Sequence, residues 1–192
     1  MTRLLPEVLL PRATLPLPEL CAARLDGEVV ALDECFVAVD TAIGADARAI
    51  ALRSIVGGRA IAETISALWI YGIVPSPPSV HTVCLDRADR SASPHCLRVT
   101  VGQSRFLPGD VCTIGGMGVT SPLRTIYDLA RGRRFTAIES EGIRLLIARF
   151  ALTEAACRAR VDAVRNLPGR HAALRRLHDL AGAAEPYPAL TR

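Results

Sequence analysis

Two histidines and two cysteines in the middle of the chain are of the residue types that bind metal ions. His81 is followed three residues later by Cys84, and His95 is followed directly by Cys96; imidazole and thiolate groups are the ligands of tetrahedral zinc sites. Residues three apart in a strand point to opposite faces, so His81 and Cys84 do not converge easily on one ion. We therefore expect a small core cysteine at position 84 and no metal, and a metal-dependent enzyme built on these four residues is the last of three hypotheses.

Residues suited to other kinds of catalysis are scarce. All 23 basic residues are arginine, which excludes a Schiff-base lysine and the lysine of a P-loop. The sequence has no GxSxG nucleophile motif. The glycines at 115, 116 and 118 lack the GxGxxG spacing of a phosphate loop, and they predict a turn that ends a strand. We expect a non-catalytic protein without a cofactor.

The arginines are unevenly distributed along the chain. Residues 1–40 contain three arginines and seven acidic residues, a net charge of −4, whereas residues 121–192 contain 13 arginines and seven acidic residues, a net charge of +6. A nucleic acid or an acidic partner should therefore contact the C-terminal third. The candidate contact residues are Arg131, Arg133, Arg134, Arg170, Arg175 and Arg176.

The helices and strands that must position these residues are predicted from the prolines and capping residues and from the spacing of the apolar residues. Four prolines before residue 19 forbid a long helix there, and the apolar runs on either side of Asp33 and Glu34 predict a hairpin over 29–39. Ser121 and Pro122 are the N-cap and first residue of a predicted helix, and Thr153 is a second N-cap. Helices are predicted at 19–26, 45–56, 59–71, 122–131, 135–149, 153–166 and 170–181, and strands at 79–85, 96–101 and 111–115. This order predicts an α+β fold: a reduced winged-helix-like module, a mixed α/β domain with a small sheet, and a C-terminal group of helices.

Composition and cysteine usage favour a cytoplasmic location. Half of the residues are hydrophobic and 22% are charged, so a sizeable core can form. The six cysteines form no CxxC pair, no apolar run reaches the length of a membrane span, and no signal pattern opens the sequence. We expect reduced thiols and no membrane partner.

The segment Val119-Thr-Ser-Pro-Leu-Arg-Thr-Ile-Tyr-Asp-Leu-Ala130 resembles the signature segment of the AbiEi-like antitoxins of type IV toxin–antitoxin systems. Upstream features occur in the matching order: Glu19 to Leu32 in the pattern ELxxARLDGExxAL, a helix that ends in Trp69-x-Tyr-Gly72, and a strand with Val80-His81-Thr82. The resemblance covers about residues 19–180. The signature residues are Thr120, Ser121, Pro122, Arg124, Thr125 and Asp128.

The resemblance implies a winged helix-turn-helix followed by a larger domain that counters a nucleotidyltransferase-like toxin, with repression of the protein's own operon through the winged helix. We expect domains at 1–40 and 44–183, a tail at 184–192, and no nuclease-like extension. The residues themselves indicate that the signature is mainly architectural, because Arg124 and Asp128 are one helical turn apart and can pair on the helix or reach the preceding strands.

The first module departs from the family pattern. Its proline-rich start leaves no room for a normal supporting helix. The candidate recognition helix has one arginine, Arg24, and the tip of the wing has Asp33 and Glu34, where basic residues would contact phosphate.

The first hypothesis for the function rests on the resemblance: a non-catalytic antitoxin or antitoxin-derived regulator. The second is a DNA-binding repressor without a toxin partner.

Overall fold

The computed structural model describes residues 8–11, 13–87, 97–133, 135–163 and 169–182. The chain divides into two compact units, Met1–Thr120 and Ser121–Arg192. The first contains all the strands of the described chain and the second only helices. The fold is α+β, as the sequence predicts.

The first unit begins with a small module of one helix and one hairpin. Helix α1 (Leu17–Leu25) is followed by β1 (Val29–Leu32) and β2 (Cys35–Ala38), which pair antiparallel. Asp33 lies in the two-residue loop with a φ of 55°, a left-handed conformation that aspartate adopts more readily than most residues. The predicted hairpin is confirmed. The core of the module contains Leu9, Leu20, Val29 and Phe36.

The rest of the first unit is a five-stranded mixed sheet with two helices. The elements are α2 (Ala45–Val56), β3 (Ile61–Ala62), α3 (Thr64–Ile70), β4 (His81–Asp86), β5 (Val99–Ser104), β6 (Val111–Ile114) and β7 (Met117–Thr120). The strand order is β5-β4-β3-β7-β6. Strand β3 is antiparallel to β4 and parallel to β7, so two residues join the two halves of the sheet.

One prediction about this unit is wrong. The segment predicted as a helix over 59–71 is strand β3 followed by the shorter α3, because Ile61 and Ala62 pair with strands on both sides and this pairing overrides local helix preference. The glycines at 115 and 116 form the predicted turn at the end of β6, and this turn leads into β7, a strand that the sequence does not predict. Both have positive φ, as two-residue hairpin turns require.

The second unit consists of α4 (Pro122–Arg131), α5 (Ala137–Arg149), α6 (Glu154–Asp162) and α7 (Arg170–Gly182). Helix α4 has its predicted bounds, with Pro122 at the start and the Ser121 side chain accepting a hydrogen bond from the Arg124 N–H. Thr153 caps α6 in the same way, as predicted. Thr136 and Glu139 form a capping box at the start of α5.

Candidate functional site

The signature segment builds helix α4 and its charged interior. Arg124 Nε donates to Asp128 Oδ2 at 2.7 Å, and Arg131 Nε donates to Asp128 Oδ1 at 3.0 Å. The side chains of Arg124 and Asp128 are 4% and 2% exposed. Thr125 Oγ1 donates to the carbonyl oxygen of Ser121 at 2.9 Å, one turn back. Arg124 and Asp128 are thus partners inside the unit, which agrees with the architectural interpretation of the signature.

Three guanidinium groups lie close to the ring of Tyr127, which stands between Arg124 and Asp128 in the sequence. The Cζ atoms of Arg124 and Arg131 lie 5.3 Å from the ring centroid, and that of Arg160 lies 4.5 Å from it. Cation–π attraction of this kind strengthens when the groups are withdrawn from water. Burial raises the pKa of Tyr127, so its phenol is neutral at ordinary pH. This cluster ties α6 to α4.

Arg176 is engaged within the second unit, unlike the exposed contact residue that the sequence predicts. Its Nη1 donates to the carbonyl oxygens of Ala130 and Gly132 at 2.7 and 2.8 Å, and its Cζ lies 4.4 Å from the centroid of the Phe135 ring. These carbonyls are at the C-terminal end of α4, where a cation also suits the helix dipole. Arg176 therefore fastens α7 to α4.

The same contacts bring most of the predicted arginines to one place, which we call the basic seam: the junction of the end of α4 with the first half of α7. A Cβ added to Gly169 would lie 2.9 Å from the Arg131 carbonyl oxygen, so α7 starts directly against α4. Arg133 and Arg175 are exposed beside this junction, and Arg170 pairs with Asp162 at 2.7 Å. Arg134 lies outside the described residues.

Helix α1 does not present the surface of a DNA-recognition helix. Arg24 is exposed in its last turn, but the residues around it are apolar or acidic. Leu25 is 90% exposed, Leu17 is 49% exposed and Cys21 is exposed between them. Phosphate contact needs basic side chains, and Arg24 is the single basic residue of this helix.

The tip of the hairpin is acidic in sequence, but Asp33 is directed into the protein. Its Oδ2 is 3.0 Å from Nε2 of His81, and its Oδ1 is 3.0 Å from Nη2 of Arg98; its side chain is fully buried. Arg98 also pairs with Glu34. Burial opposes ionisation of Asp33, but the hydrogen bond with His81 and the charges of His81 and Arg98 hold its pKa below the ordinary value. Of the two carboxylates at the tip, Asp33 is therefore buried against His81 and Arg98, and Glu34 is exposed.

Ser66, His81 and Asp33 form a buried network that the sequence does not predict. Ser66 Oγ is 3.0 Å from His81 Nδ1 and accepts the Thr82 N–H at 2.8 Å. An ionised carboxylate only accepts, so His81 Nε2 carries the proton shared with Asp33. The three residue types match a hydrolase triad, yet Ser66, His81 and the Asp33 side chain are fully buried, and a substrate could not reach the hydroxyl. No sequence pattern signals residues at positions 33, 66 and 81.

The proposed metal ligands are not brought together where they are described. His81 is held between Ser66 and Asp33, whereas the Cys84 thiol lies 3.7 Å from the carbonyl oxygen of Ile61. His95 and Cys96 lie outside the described residues. Among the residues that the structure describes, no three His, Cys, Asp or Glu side chains are grouped as metal ligands.

The second unit also contains an apolar groove that sequence analysis did not identify. Its volume is about 420 Å³, within the range of ligand-binding clefts. Helices α5, α6 and α7 line it. The lining residues are Glu141, Arg144, Leu145, Ile147, Ala148, Glu154, Cys157, Leu177 and Leu180. Burial, followed by the charge of Glu154, raises the pKa of the Cys157 thiol, which favours its uncharged form.

Comparisons with known proteins do not identify a family. No protein-family model matches the sequence, and no curated protein matches it. Among solved structures, the RV2827C protein from Mycobacterium tuberculosis aligns with 88% of this chain and 70% of its own, with 13% sequence identity and a TM-score of 0.36. A similarity at this level does not establish a shared function. In the described part of the chain, no helix is long and apolar enough to cross a bilayer.

Proposed function

We propose that this protein is a non-catalytic AbiEi-like antitoxin, or a regulator derived from one, which acts by binding a nucleotidyltransferase-like toxin. The observation that supports the proposal most directly is the internal pairing of the signature charges, Arg124 with Asp128, which gives the signature a structural role. The function is thereby left to surfaces such as the basic seam. The resemblance of residues 119–130 supplies the class of partner.

The expected contact surface on the second unit is the exposed part of the basic seam. Arg133, Arg170 and Arg175 are exposed there, and no described carboxylate pairs with Arg133 or Arg175. Arginine suits contact with carboxylates, because its planar fork donates two parallel hydrogen bonds. An acidic surface of the toxin is the matching partner. The proposal places the protein in the cytoplasm, where exposed thiols such as that of Cys21 stay reduced.

Co-expression tests the proposal. Each nucleotidyltransferase-fold gene that neighbours this gene is expressed alone and with it, and growth is measured. We expect growth arrest by one of them and relief by this protein, with the relief lost in the double variant Arg133→Glu and Arg175→Glu. Arg24→Glu is the matched control, because it reverses an exposed arginine on α1. If no such gene is toxic, or if toxicity persists with the wild-type protein, the proposal is wrong.

DNA is the competing ligand for the same cations, and the same variants distinguish it. A fragment of the protein's own promoter is titrated in a mobility-shift assay at increasing salt. Binding through the basic seam would weaken steeply with salt and would be lost in the double variant. Tight promoter binding without relief of any toxin would favour the stand-alone repressor over the antitoxin.

A further inference from the structure

Helix α1 has an exposed apolar stripe that its own module does not cover. Leu17, Cys21 and Leu25 are spaced four residues apart, so they lie along one face of the helix. All three are exposed, whereas Leu20 is the fully buried residue that holds the helix in the module. Anchors at this spacing are typical of helices that insert into an apolar groove of another protein.

The groove of the second unit has the features that such a helix needs. Leu145, Leu177 and Leu180 line it, and Leu145 remains 41% exposed. The carboxylates at its rim, Glu141 and Glu154, are paired with Arg144 at 3.0 Å and with Arg158 at 3.4 Å. An entering helix would therefore meet apolar side chains and carboxylates that already have partners.

The exposed acidic residues beside the stripe are opposite in charge to an arginine beside the groove. On and just after α1, the exposed acidic residues Glu19, Asp26 and Glu28 outnumber Arg24, and residues 1–40 have a net charge of −4. Arg149, one turn after Leu145 on α5, is exposed and has no carboxylate partner among the described residues. Opposite charges at two surfaces speed association and orient the partners.

We propose that this protein self-associates head to tail, with α1 of one copy docked in the α5–α6–α7 groove of a second copy. The occupant of the groove is thus a second copy of this chain. The two surfaces differ, so the contact is heterologous, and it generates a ring or an open chain of copies. A nine-residue helix offers a small interface, and interfaces of this size are weak and depend on concentration. The inference does not depend on the antitoxin proposal, because it requires no toxin.

Two single substitutions and their mixture test the contact. Leu25→Glu places a charge on the stripe and leaves the groove intact, and Leu145→Glu does the reverse. Burying a leucine contributes about 1.5–3 kcal/mol, so each change should weaken the association constant about 10- to 100-fold. The matched controls are Val39→Glu and Ile138→Glu, which alter exposed apolar residues outside the stripe and the groove.

Sedimentation velocity of the full chain from micromolar to millimolar concentration measures the association, and circular dichroism verifies that each variant is folded. We expect the wild-type protein and both controls to associate, and each variant alone to need about 10- to 100-fold higher concentrations for the same degree of association. An equimolar mixture of the two variants should associate again, since it combines one intact α1 with one intact groove. A wild-type protein that is monomeric throughout would overturn the inference. So would association that survives both substitutions, or a mixture that stays monomeric.

Discussion

Asp128→Asn removes the negative charge that Arg124 and Arg131 share while it keeps the shape of the side chain. Arginine stays protonated in proteins, so the guanidinium of Arg124, 4% exposed, would lose its counter-ion at 2.7 Å and remain charged. Removing one partner of a buried ion pair costs about 3–5 kcal/mol. For a chain of this length, that loss corresponds to a fall in melting temperature of about 6–20 °C.

The control for this substitution is Glu141→Gln, which breaks a solvent-exposed ion pair of similar length. Arg144 and Glu141 lie 3.0 Å apart with about half of each side chain exposed, and such pairs contribute about 0–1 kcal/mol. Urea unfolding of both variants, followed by circular dichroism, gives the two free-energy differences. If Asp128→Asn costs no more than Glu141→Gln, the burial argument is refuted.

A paired substitution separates loss of charge from loss of shape. The double variant Arg124→Met and Asp128→Leu replaces both charges by apolar groups of similar size, and such replacements of buried pairs are often neutral or stabilising. Most of the stability lost in Asp128→Asn should return. A double variant as unstable as the single one would show that an uncompensated charge is not the cause.

Three further predictions concern single positions. Arg176→Ala should lower the free energy of unfolding by about 1–3 kcal/mol, because it removes two hydrogen bonds from a charged donor, whereas the exposed Arg175→Ala should change it by less than about 0.5 kcal/mol; equal effects in urea unfolding would contradict this. Gly115→Ala should cost about 1–3 kcal/mol, since its φ is 54° and a Cβ would lie 2.6 Å from a main-chain oxygen of α2, while Gly44→Ala, with open space around it, serves as the control. The pKa of Asp33 is lowered in the folded state, so the stability advantage of the wild type over Asp33→Asn should be complete above about pH 4 and lost as the pH falls through the folded pKa; unfolding free energies measured across that range would reveal an opposite trend.

The sequence predicted the helices well where capping residues, proline or glycine mark their ends. Ser121 followed by Pro122 marks the start of α4, and Gly57 follows α2; both helices have the predicted bounds. The signal failed where pairing between distant segments decides the structure. Strand β3 has only two residues, and its conformation is set by neighbours about 20 and 60 residues away in sequence. The residues next to β3 in the sequence therefore do not indicate its partner strands.

The contacts of the candidate sites also fall into two groups: those between residues close in sequence, which could be predicted, and those between distant residues, which could not. The sequence predicts the Arg124–Asp128 pair, because residues four apart meet on a helix whatever else surrounds them. It does not predict that Asp33 is buried against His81, since that contact depends on how the hairpin lies on the sheet. The distribution of charge along the chain shows the same limit. It shows that arginines are concentrated in the last third, but it cannot separate those that hold helices together from those that are exposed to solvent.

Helix α7 illustrates why that separation matters for function. Arg176 points to the end of α4 and is used for stability, while Arg175, its neighbour in sequence, is exposed. Leu177 and Leu180 line the groove, and Arg175 lies on the opposite side of the helix from Leu177, because residues two apart on a helix are about 200° apart. The exposed arginine of the basic seam on α7 and the leucines of the groove therefore lie on different sides of this helix. A partner bound through Arg133 and Arg175 would leave the groove free to hold a helix, so substitutions in the seam and in the groove should affect different interactions.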